Sequence, residues 1–474
     1  MANPTPPSTS GLPNRTLDTP EFAQPQPTPD PTTFVVKHPS DDPLYTSLDA
    51  YNKEHGLHAT PFPNPRGFPQ NPEPRLTLQD VLGGATAATN IGNITNTNKQ
   101  IVFHALGDCG SVGGPVDQNY VTDKLVADFN EVDPRQVPQF HMLLGDIVYS
   151  FGQVVYYYDQ FYEPYRDYPA PILAAAGNHD ASVAPGLNET SLEGYLRNFC
   201  QSDFVVMPEA NKLSRTAQIQ PGVFFTFDAP FVRIIVLFSN WLENPGIISD
   251  ADTGTAQLTF LKAALTRVKT ENYKGALLLA HHHPIYAYSR NGGSPAMLAQ
   301  IDAICKEVGV WPHADLAGHS HNYQRFTRYR PDGTEIPYIV CGNGGHAPLQ
   351  VLSKTQTIRA PQIVQQPSAS TDKVSFDRYD DKNFGYLRIT VNSTQLHIEY
   401  HPASDGTTTK TPDDAVTVDL ASRKIVNFNP PDTGMPKAAA ATHAAMVAQL
   451  PKSRAREAPA QETRGKKKKT ASKR

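Results

Sequence analysis

The sequence predicts an α/β fold built from layered sheets, because its 474 residues show three patterns. Short apolar runs follow one another from residue 100 onward, and each ends in a polar, often glycine-containing turn. Amphipathic helical patterns separate several of these runs. Two alternating runs near residue 390 are typical of an antiparallel hairpin. Strands that alternate with helices in this way generally form an α/β core.

The apolar runs have the length and residue types of buried strands. They are Ile101–Leu106, Phe140–Leu144, Pro171–Ala176, Arg233–Phe238, Ala276–Ala280, Asp315–Ala317 and Tyr338–Val340. Apolar residues at helical spacing predict helices over Ala256–Lys269 and Ala296–Val308. The segment Phe384–Tyr400, with its break at Asn392-Ser-Thr, predicts a hairpin that closes the domain.

Composition divides the chain into three parts. Residues 1–98 contain 17 prolines between Pro4 and Pro74 and little periodicity, so we expect a largely disordered, Pro-rich N-terminal region. Residues 99–428 form the predicted globular domain. Residues 429–474 become Ala-rich and then Lys-rich, which predicts a disordered tail.

The formal net charge of −4 conceals a basic tail on an acidic body. Residues 452–474 carry ten Lys or Arg and two Glu, a balance of +8 that leaves −12 for the rest of the chain. The run Lys466–Lys469 makes binding of nucleic acid or an anionic surface one interpretation. A solvated tail without such a partner is the favoured one.

Composition also limits the class of protein. The four cysteines are widely spaced without a CxxC pair, which argues against a disulfide framework or a cysteine zinc site. No apolar stretch reaches the roughly 20 residues that a membrane helix needs. The first residues show neither a cationic start nor an apolar run, so a cytoplasmic location is expected, with export as the alternative.

Potential metal ligands follow directly after five of the predicted strands. The segments are Gly107-Asp108-Cys109-Gly110, Gly145-Asp146-Ile147-Val148-Tyr149, Gly177-Asn178-His179-Asp180, His281-His282-His283-Pro284 and Gly318-His319-Ser320-His321. Because strand ends converge at one edge of an α/β sheet, these side chains are expected in one crevice. Each segment alone is more often a plain turn or a structural histidine. Five of them in one order, all at strand ends, favour a metal site.

The series GDxG, GDxxY, GNHD, HxP and GHxH resembles the signature of calcineurin-like metallophosphoesterases, and it spans Asp108 to His321. The tyrosine of the second block and the run Gly318-His-Ser-His-Asn-Tyr-Gln-Arg are similar to purple acid phosphatases in particular. The resemblance implies a β-sandwich flanked by helices in a four-layer α/β/β/α arrangement, which agrees with the strand and helix pattern. It also implies phosphoester hydrolysis at two adjacent metals.

By this resemblance the first metal would be held by Asp108, Asp146, Tyr149 and His321, and the second by Asp146, Asn178, His282 and His319. The Asp146 carboxylate would bridge the two ions, which stand about 4 Å apart in such sites. Phenolate and carboxylates suit Fe(III), whereas imidazole and amide oxygen suit divalent Fe, Zn or Mn. Together the metals would lower the pKa of a bridging water and so supply a hydroxide nucleophile.

The resemblance also makes His179 the residue that contacts phosphate and protonates the leaving oxygen. Asp180 then either orients His179 or caps a helix at the turn. His281 and His283 are candidates for supporting the ligands or facing the substrate, and for either one a purely structural role is the equal alternative. The role of His346, which ends the glycine-rich segment Gly342–His346, stays open.

These features predict a phosphomonoesterase of the acid phosphatase kind that acts on a small phosphate ester. A phosphodiesterase on the same dinuclear site is one alternative, because the motifs define the metals and not the leaving-group pocket. A metal-binding module without turnover is another. No predicted ligand position is missing, which argues against the inactive module.

Overall fold

The computed structural model describes residues 14–24, 33–35, 67–184, 189–239, 246–251, 253–289, 292–352, 360–364 and 372–429. The Ala-rich and Lys-rich parts of the predicted tail and most of residues 1–66 lie outside these ranges. Within them, 17 strands form three sheets. No helix in the described ranges is long and apolar enough to cross a membrane.

The strands are β1 (Arg15–Leu17), β2 (Arg75–Thr77), β3 (Gln100–Leu106), β4 (His141–Leu144), β5 (Ile172–Ala175), β6 (Phe204–Val206), β7 (Phe225–Ala229), β8 (Val232–Val236), β9 (Ala276–Ala280), β10 (Ala314–Ala317), β11 (Tyr323–Tyr329), β12 (Glu335–Cys341), β13 (Gln362–Val364), β14 (Lys373–Asp380), β15 (Gly385–Asn392), β16 (Gln395–Pro402) and β17 (Asp414–Asp419). The α-helices are α1 (Leu78–Leu82), α2 (Ala87–Gly92), α3 (Val116–Ala127), α4 (Asn178–Ala181), α5 (Glu193–Phe199), α6 (Ala256–Thr270) and α7 (Pro295–Val308). Short 3₁₀ or π-helical turns occupy Asn93–Asn98, Asp128–Asn130, Pro134–Gln136, Val154–Tyr156, Tyr158–Tyr162 and Pro208–Ala210.

Two large mixed sheets carry parallel strands at their centres. The six-stranded sheet has the order β17-β16-β15-β3-β4-β5, with β3, β4 and β5 parallel. The nine-stranded sheet has the order β13-β14-β11-β12-β10-β9-β8-β7-β2, with β8, β9, β10 and β12 parallel. Parallel neighbours end at the same edge of a sheet, so each sheet presents a group of carboxyl-terminal strand ends there.

The larger of two hydrophobic clusters in the described residues contains buried side chains from both large sheets. Phe140, just before β4, lies 5.0 Å from Phe227 of β7 between ring centroids. The helix α6 packs next to β7, where Phe260 lies 5.0 Å from Phe224 between ring centroids. Burial of this apolar surface is the dominant favourable term in folding. The predicted α/β sandwich flanked by helices is confirmed.

Most predicted elements agree with the structure to within a few residues. The strand β9 has the predicted bounds, and α6 and α7 each differ from the predicted helices by one residue. The predicted hairpin is formed by the antiparallel pair β15 and β16. Ser294 caps α7, because its Oγ accepts a hydrogen bond from the amide of Met297 at 3.1 Å.

The folded part begins earlier than the predicted boundary at residue 99. The strand β2 pairs in parallel with β7 at the edge of the nine-stranded sheet, and its Leu76 is buried. Thr77 then caps α1 by accepting from the amide of Asp80 at 3.1 Å. A three-residue strand is too short to show alternation of apolar and polar residues. The many prolines before it therefore predict disorder up to residue 98. Residues 67–98 therefore belong to the domain.

Candidate metal centre

The five predicted segments meet at the carboxyl-terminal ends of the central strands of both large sheets. Asp108, Asp146 and Asn178 follow β3, β4 and β5, whereas His282 and His319 follow β9 and β10. All five side chains are buried. The amide of His319 donates to Oδ2 of Asp108 at 2.6 Å, although the two residues are 211 positions apart. Packing of the two sheets therefore brings distant parts of the chain to one place.

Three of these residues adopt a left-handed backbone conformation. The angle φ is 56° at Asp108, 53° at Asp146 and 67° at His319. This region is uncommon for residues other than glycine and costs of order 1–3 kcal/mol each. Gly177 permits a close approach to one of them, because a Cβ there would lie 2.1 Å from Oδ1 of Asp146. Backbone strain of this kind clusters at functional sites.

The phenol of Tyr149 joins two of the predicted carboxylate ligands. Its hydroxyl lies 2.8 Å from Oδ1 of Asp108 and 3.0 Å from Oδ2 of Asp146. Nε2 of His321 lies 3.4 Å from the same hydroxyl and 3.3 Å from Oδ1 of Asp108. The four side chains assigned by the resemblance to a first metal thus converge on one point.

Asp146 also faces two of the predicted histidine ligands. Its Oδ2 lies 3.2 Å from Nε2 of His282, and that nitrogen lies 3.3 Å from Nδ1 of His319. Ligand atoms of these three residues all lie within 4.8 Å of one another, close enough to hold one metal ion. Asn178 lies at the first position of α4, next to His179, whose amide donates to Oδ1 of Asp146 at 2.9 Å.

The spacing and chemistry of the donors fit metal ions. Donor atoms about 2.1 Å from one ion lie roughly 3.0–3.4 Å apart around it, in octahedral or tetrahedral geometry. The pairwise contacts of Tyr149 with Asp108 and His321, and of His282 with Asp146 and His319, range from 2.8 to 3.4 Å. The group around Tyr149 is mainly oxygen, whereas the group around His282 adds two imidazoles. The first group therefore suits a hard ion and the second a borderline divalent ion.

The charges of the site favour a nearby cation. Burial, together with the Asp108 and Asp146 carboxylates, raises the pKa of Tyr149 well above its ordinary value. This phenol therefore ionises only beside a strong positive charge. Burial is the largest influence on the pKa of His282 and lowers it, but the Asp146 and Asp108 carboxylates and the hydrogen bond to the Leu144 carbonyl together outweigh burial and raise the pKa to about 9. A ring held between carboxylates thus takes up positive charge.

Hydrogen bonds outside the donor groups fix the turn that carries the three consecutive histidines. His281 lies with Nε2 3.0 Å from Oδ2 of Asp315 and Nδ1 2.8 Å from the carbonyl oxygen of His283. His282 donates from Nδ1 to the carbonyl oxygen of Leu144 at 2.8 Å, because a carbonyl only accepts. Its Nε2 is consequently turned toward Asp146. Partners of this kind orient metal-binding histidines.

His283 packs beside the second donor group and is 1% exposed. Its amide donates to Oγ of Ser239 at 2.9 Å, and the same oxygen lies 2.9 Å from Nδ1 of the ring. The ring centroid lies 4.3 Å from that of His319. Ser239 follows β8 outside every recognised motif, so sequence reasoning did not find it.

His179 reaches toward Asp146 from the side of the solvent. Its Nδ1 lies 2.8 Å from the carbonyl oxygen of Ser150, so this nitrogen carries a proton. Its Nε2 lies 3.8 Å from Oδ2 of Asp146, and the side chain is 13% exposed. His179 and His321, whose side chain is 15% exposed, are therefore open to solvent, whereas Asp146 and His282 are buried.

Asp180 is buried and bonded to the backbone. Its carboxylate accepts hydrogen bonds from the amides of Gly177 at 2.8 Å, Ile147 at 3.0 Å and Val148 at 3.4 Å. Burial and the nearby Asp146 raise the pKa of Asp180 to about 7. Gly177, and not Asp180, is the N-cap of α4, and Asp180 is the third helical residue, whose carboxylate bonds back to the N-cap amide. Its bonds to Ile147 and Val148 tie the turn after β5 to the turn after β4.

Two residues that the motif analysis did not assign hold Tyr149. Oε1 of Gln160 accepts from the Tyr149 amide at 2.9 Å, and Nε2 of Gln160 donates to the Tyr149 carbonyl oxygen at 2.6 Å. The ring of His346 stacks on that of Tyr149 with centroids 3.7 Å apart. The glycine-rich segment before His346 was a visible signal, whereas a single buried glutamine has none.

Family models match most of the described domain. Residues 101–323 match the model described as calcineurin-like phosphoesterase. Residues 336–410 match the model described as iron/zinc purple acid phosphatase-like protein C. The first match contains all five ligand segments. Comparison with curated proteins gives no significant match.

Several solved structures are similar at low sequence identity. Purple acid phosphatase PPD1 from yellow lupin (Lupinus luteus) seeds is 18% identical with a TM-score of 0.45, over 68% of this chain and 54% of that chain. GAP50, the anchor in the inner membrane complex of Plasmodium, is 13% identical with a TM-score of 0.45, over 73% and 95%. A dimetal phosphatase from Danio rerio is 12% identical with a TM-score of 0.37, over 68% and 99%.

The present chain thus spans about half the length of the lupin protein, 54%. The two family models and the five ligand segments identify the family. The models occupy adjacent stretches, and together they cover more than half of the chain. The chain belongs to the calcineurin-like metallophosphoesterases and has a purple acid phosphatase-like C-terminal part.

Proposed function

We propose that this protein hydrolyses phosphate monoesters at a dinuclear metal centre. The observation that carries the proposal is the double contact of Asp146 Oδ2, which lies 3.0 Å from the Tyr149 hydroxyl and 3.2 Å from Nε2 of His282. One carboxylate therefore borders both donor groups, as expected for a ligand shared by two ions. Family membership supports phosphoester hydrolysis, and the preference for monoesters is our proposal.

The proposed ligands of the first ion are Asp108, Asp146, Tyr149 and His321, and those of the second are Asp146, Asn178, His282 and His319. Fe(III) suits the first set because phenol and carboxylate oxygens are hard donors. Divalent Fe, Zn or Mn suits the second. When bound, the two ions supply an activated water and neutralise charge on the phosphoryl group. The chain itself keeps the donors in place, for example through the Leu144 carbonyl that orients His282.

His179 is the proposed acid that protonates the leaving oxygen and contacts the phosphate. Because its Nδ1 already donates to the Ser150 carbonyl, the transferable proton is the one on Nε2. That nitrogen lies on the side of Asp146, where the two donor groups meet. The side chain is partly exposed, so a substrate that enters from solvent can reach it. A well-placed acid typically contributes about 10²–10⁴-fold to the rate.

Asp180 and His283 are proposed to act mainly by holding other residues. Asp180 binds the amides of Gly177 and Ile147, which flank the proposed ligands Asn178 and Asp146. His283 packs its ring on His319 and is anchored by Ser239. The predicted contact of His283 with substrate is a separate proposal. Weaker inhibition by inorganic phosphate in His283→Gln, with kcat retained, would support that contact, and unchanged inhibition would contradict it.

Metal analysis, a visible spectrum and matched assays test the proposed function. We expect about two metal ions per chain, as in other two-metal hydrolases. We expect 4-nitrophenyl phosphate to be hydrolysed faster than bis(4-nitrophenyl) phosphate, and chelation followed by readdition of metal to remove and restore the activity. Faster hydrolysis of the diester would assign a phosphodiesterase. Two bound ions with no hydrolysis of either ester would assign a metal-binding module, and one ion or none would contradict the dinuclear site.

A further inference from the structure

We infer that His346 is a positioning residue for Tyr149, an inference that rests on the dinuclear site proposed above. The two rings stack with centroids 3.7 Å apart and planes inclined by 23°. Aromatic rings in contact favour defined mutual orientations, because their quadrupoles prefer offset-stacked or edge-to-face arrangements. The orientation of the phenol matters, because its oxygen meets both Asp108 and Asp146.

The glycine-rich segment Gly342–His346 is bonded to the turn that carries Asp108. The amide of Gly344 donates to the carbonyl oxygen of Gly107 at 3.0 Å, and the amide of His346 donates to that of Asp108 at 3.0 Å. A Cβ at position 344 would lie 2.5 Å from the Gly107 oxygen, so a side chain there would push the two turns apart. The glycine thus allows His346 to be fixed to the Asp108 turn.

The imidazole of His346 is itself held in one orientation. It is 4% exposed, and its Nδ1 lies 3.2 Å from the carbonyl oxygen of Gly110, to which it donates. Its ring meets the ring of His321 edge-on, with centroids 4.7 Å apart. His346 therefore contacts two proposed ligands of the first ion, Tyr149 and His321, while its Nδ1 points to the backbone.

Tyr149 also contacts the proposed acid, since its ring centroid lies 4.1 Å from that of His179. If the Tyr149 ring loses its stacking contact with His346, its hydroxyl moves relative to the other oxygen donors of the first ion. The packing of Tyr149 against His179 changes at the same time. We therefore expect removal of the His346 ring to lower kcat more than it changes KM.

The test compares His346→Ala with His346→Phe, which keeps a ring for the stack but loses the hydrogen bond to Gly110. In metal-free protein labelled with ¹³C in the tyrosine rings, the signal missing from Tyr149→Phe identifies Tyr149. We expect His346→Ala to shift this signal and speed up ring flipping, and His346→Phe to restore most of the wild-type behaviour. In the metal-loaded enzyme we expect kcat to fall about tenfold in His346→Ala with KM changed less than twofold, a size in keeping with the loss of one stacked ring pair.

An unchanged Tyr149 signal in His346→Ala would overturn the inference, whatever the activity. Equal signal changes in the Ala and Phe variants would overturn it too, because the stack would then not be the cause. Thermal unfolding midpoints check that each variant folds, and His346→Gln replaces the Ala variant if the latter does not. Since the tyrosine signal needs no metal, these outcomes are distinct from failure of the proposed function, which would appear as inactive wild-type protein.

Discussion

The hydroxyl of Tyr149 lies 2.8 Å from Oδ1 of Asp108, although 41 positions separate the two residues. Asp108 follows β3, and Tyr149 lies three residues beyond Asp146, which follows β4. Because β3 and β4 are parallel neighbours, their ends place the two turns side by side. This contact puts a phenol oxygen into the donor set, and the presence of that phenol distinguishes the proposed Fe(III) site from a metallophosphoesterase site without tyrosine.

Tyr149→Phe is expected to remove colour from the oxidised protein. A phenolate bound to Fe(III) gives a visible charge-transfer band, and the buried phenol beside two carboxylates ionises only next to such a cation. The variant should lose the band and still bind metal, as visible spectra and metal analysis will show. Tyr157→Phe is the matched control, since its buried hydroxyl has no hydrogen-bond partner within the described residues. An active, fully metallated wild type without a band would instead indicate Mn or Zn.

Asp146→Asn is expected to reduce turnover by more than a hundredfold and to lower the content of both metals. The change removes one negative charge from the carboxylate that borders both donor groups. Loss of partners outside the ligand shell already costs about 10–100-fold, so loss of a shared ligand should cost more. The exposed Asp18 supplies the control variant Asp18→Asn. Wild-type metal content and turnover in Asp146→Asn would contradict the two-metal assignment, provided that circular dichroism shows both variants folded.

His179→Ala is expected to keep both metals and lose about 10²-fold or more of its turnover on alkyl phosphates, the scale of a lost general acid. The loss should shrink on 4-nitrophenyl phosphate, because nitrophenolate leaves without a proton. Kinetics on a series of leaving groups measure this difference. An equal loss across the series would assign His179 to phosphate binding instead.

The sequence predicts best where apolar strands end in polar turns, since that pattern is local. It located β3, β4, β5, β9 and β10 and the ligand segments behind them, because burial on both faces gives uninterrupted apolar runs. The strand β11 was harder to find, because Arg328 within it is buried and paired with Asp302 at 2.6 Å and Asp372 at 2.7 Å. The ion pairs that make such a residue tolerable come from distant segments.

The helix α3 was also hard to predict from the sequence, because many of its buried residues are polar. Its buried residues include Gln118, Asn119, Thr122 and Lys124, so no apolar stripe marks the face that packs on the protein. Lys124 reaches the carbonyl oxygen of Pro402 at 2.8 Å, a partner that the local sequence does not reveal. At the candidate metal centre, the supporting contacts of Gln160 and His346 with Tyr149 were likewise set by tertiary packing and not by spacing.

His313 makes the stability of the fold depend on pH, because its buried imidazole is neutral in the folded protein. The amide of Leu277 donates to Nδ1 at 2.9 Å, which leaves no room for a proton on that nitrogen. Nε2 faces the carbonyl oxygen of Leu420 at 3.3 Å. Burial first, and then the positive charge of Arg423, lower the pKa of His313 to about 3. The unfolded chain, by contrast, protonates this residue near pH 6.5.

The folded protein should therefore lose stability on acidification. Between pH 6.5 and about pH 3, His313 is protonated in the unfolded chain and neutral in the folded protein. In this range His313 alone therefore lowers the free energy of unfolding by about 1.4 kcal/mol for each pH unit of acidification. We expect His313→Asn to be less stable than wild type by about 1–3 kcal/mol at pH 7.5, because the Leu277 amide loses the imidazole Nδ1 as its hydrogen-bond acceptor. The deficit should shrink by about 2 kcal/mol at pH 5, because the asparagine does not titrate. Urea unfolding of both proteins at pH 7.5, 6 and 5 measures the difference, and metal release at low pH affects both alike. A deficit that stays constant over this range would show that His313 does not carry the acid sensitivity.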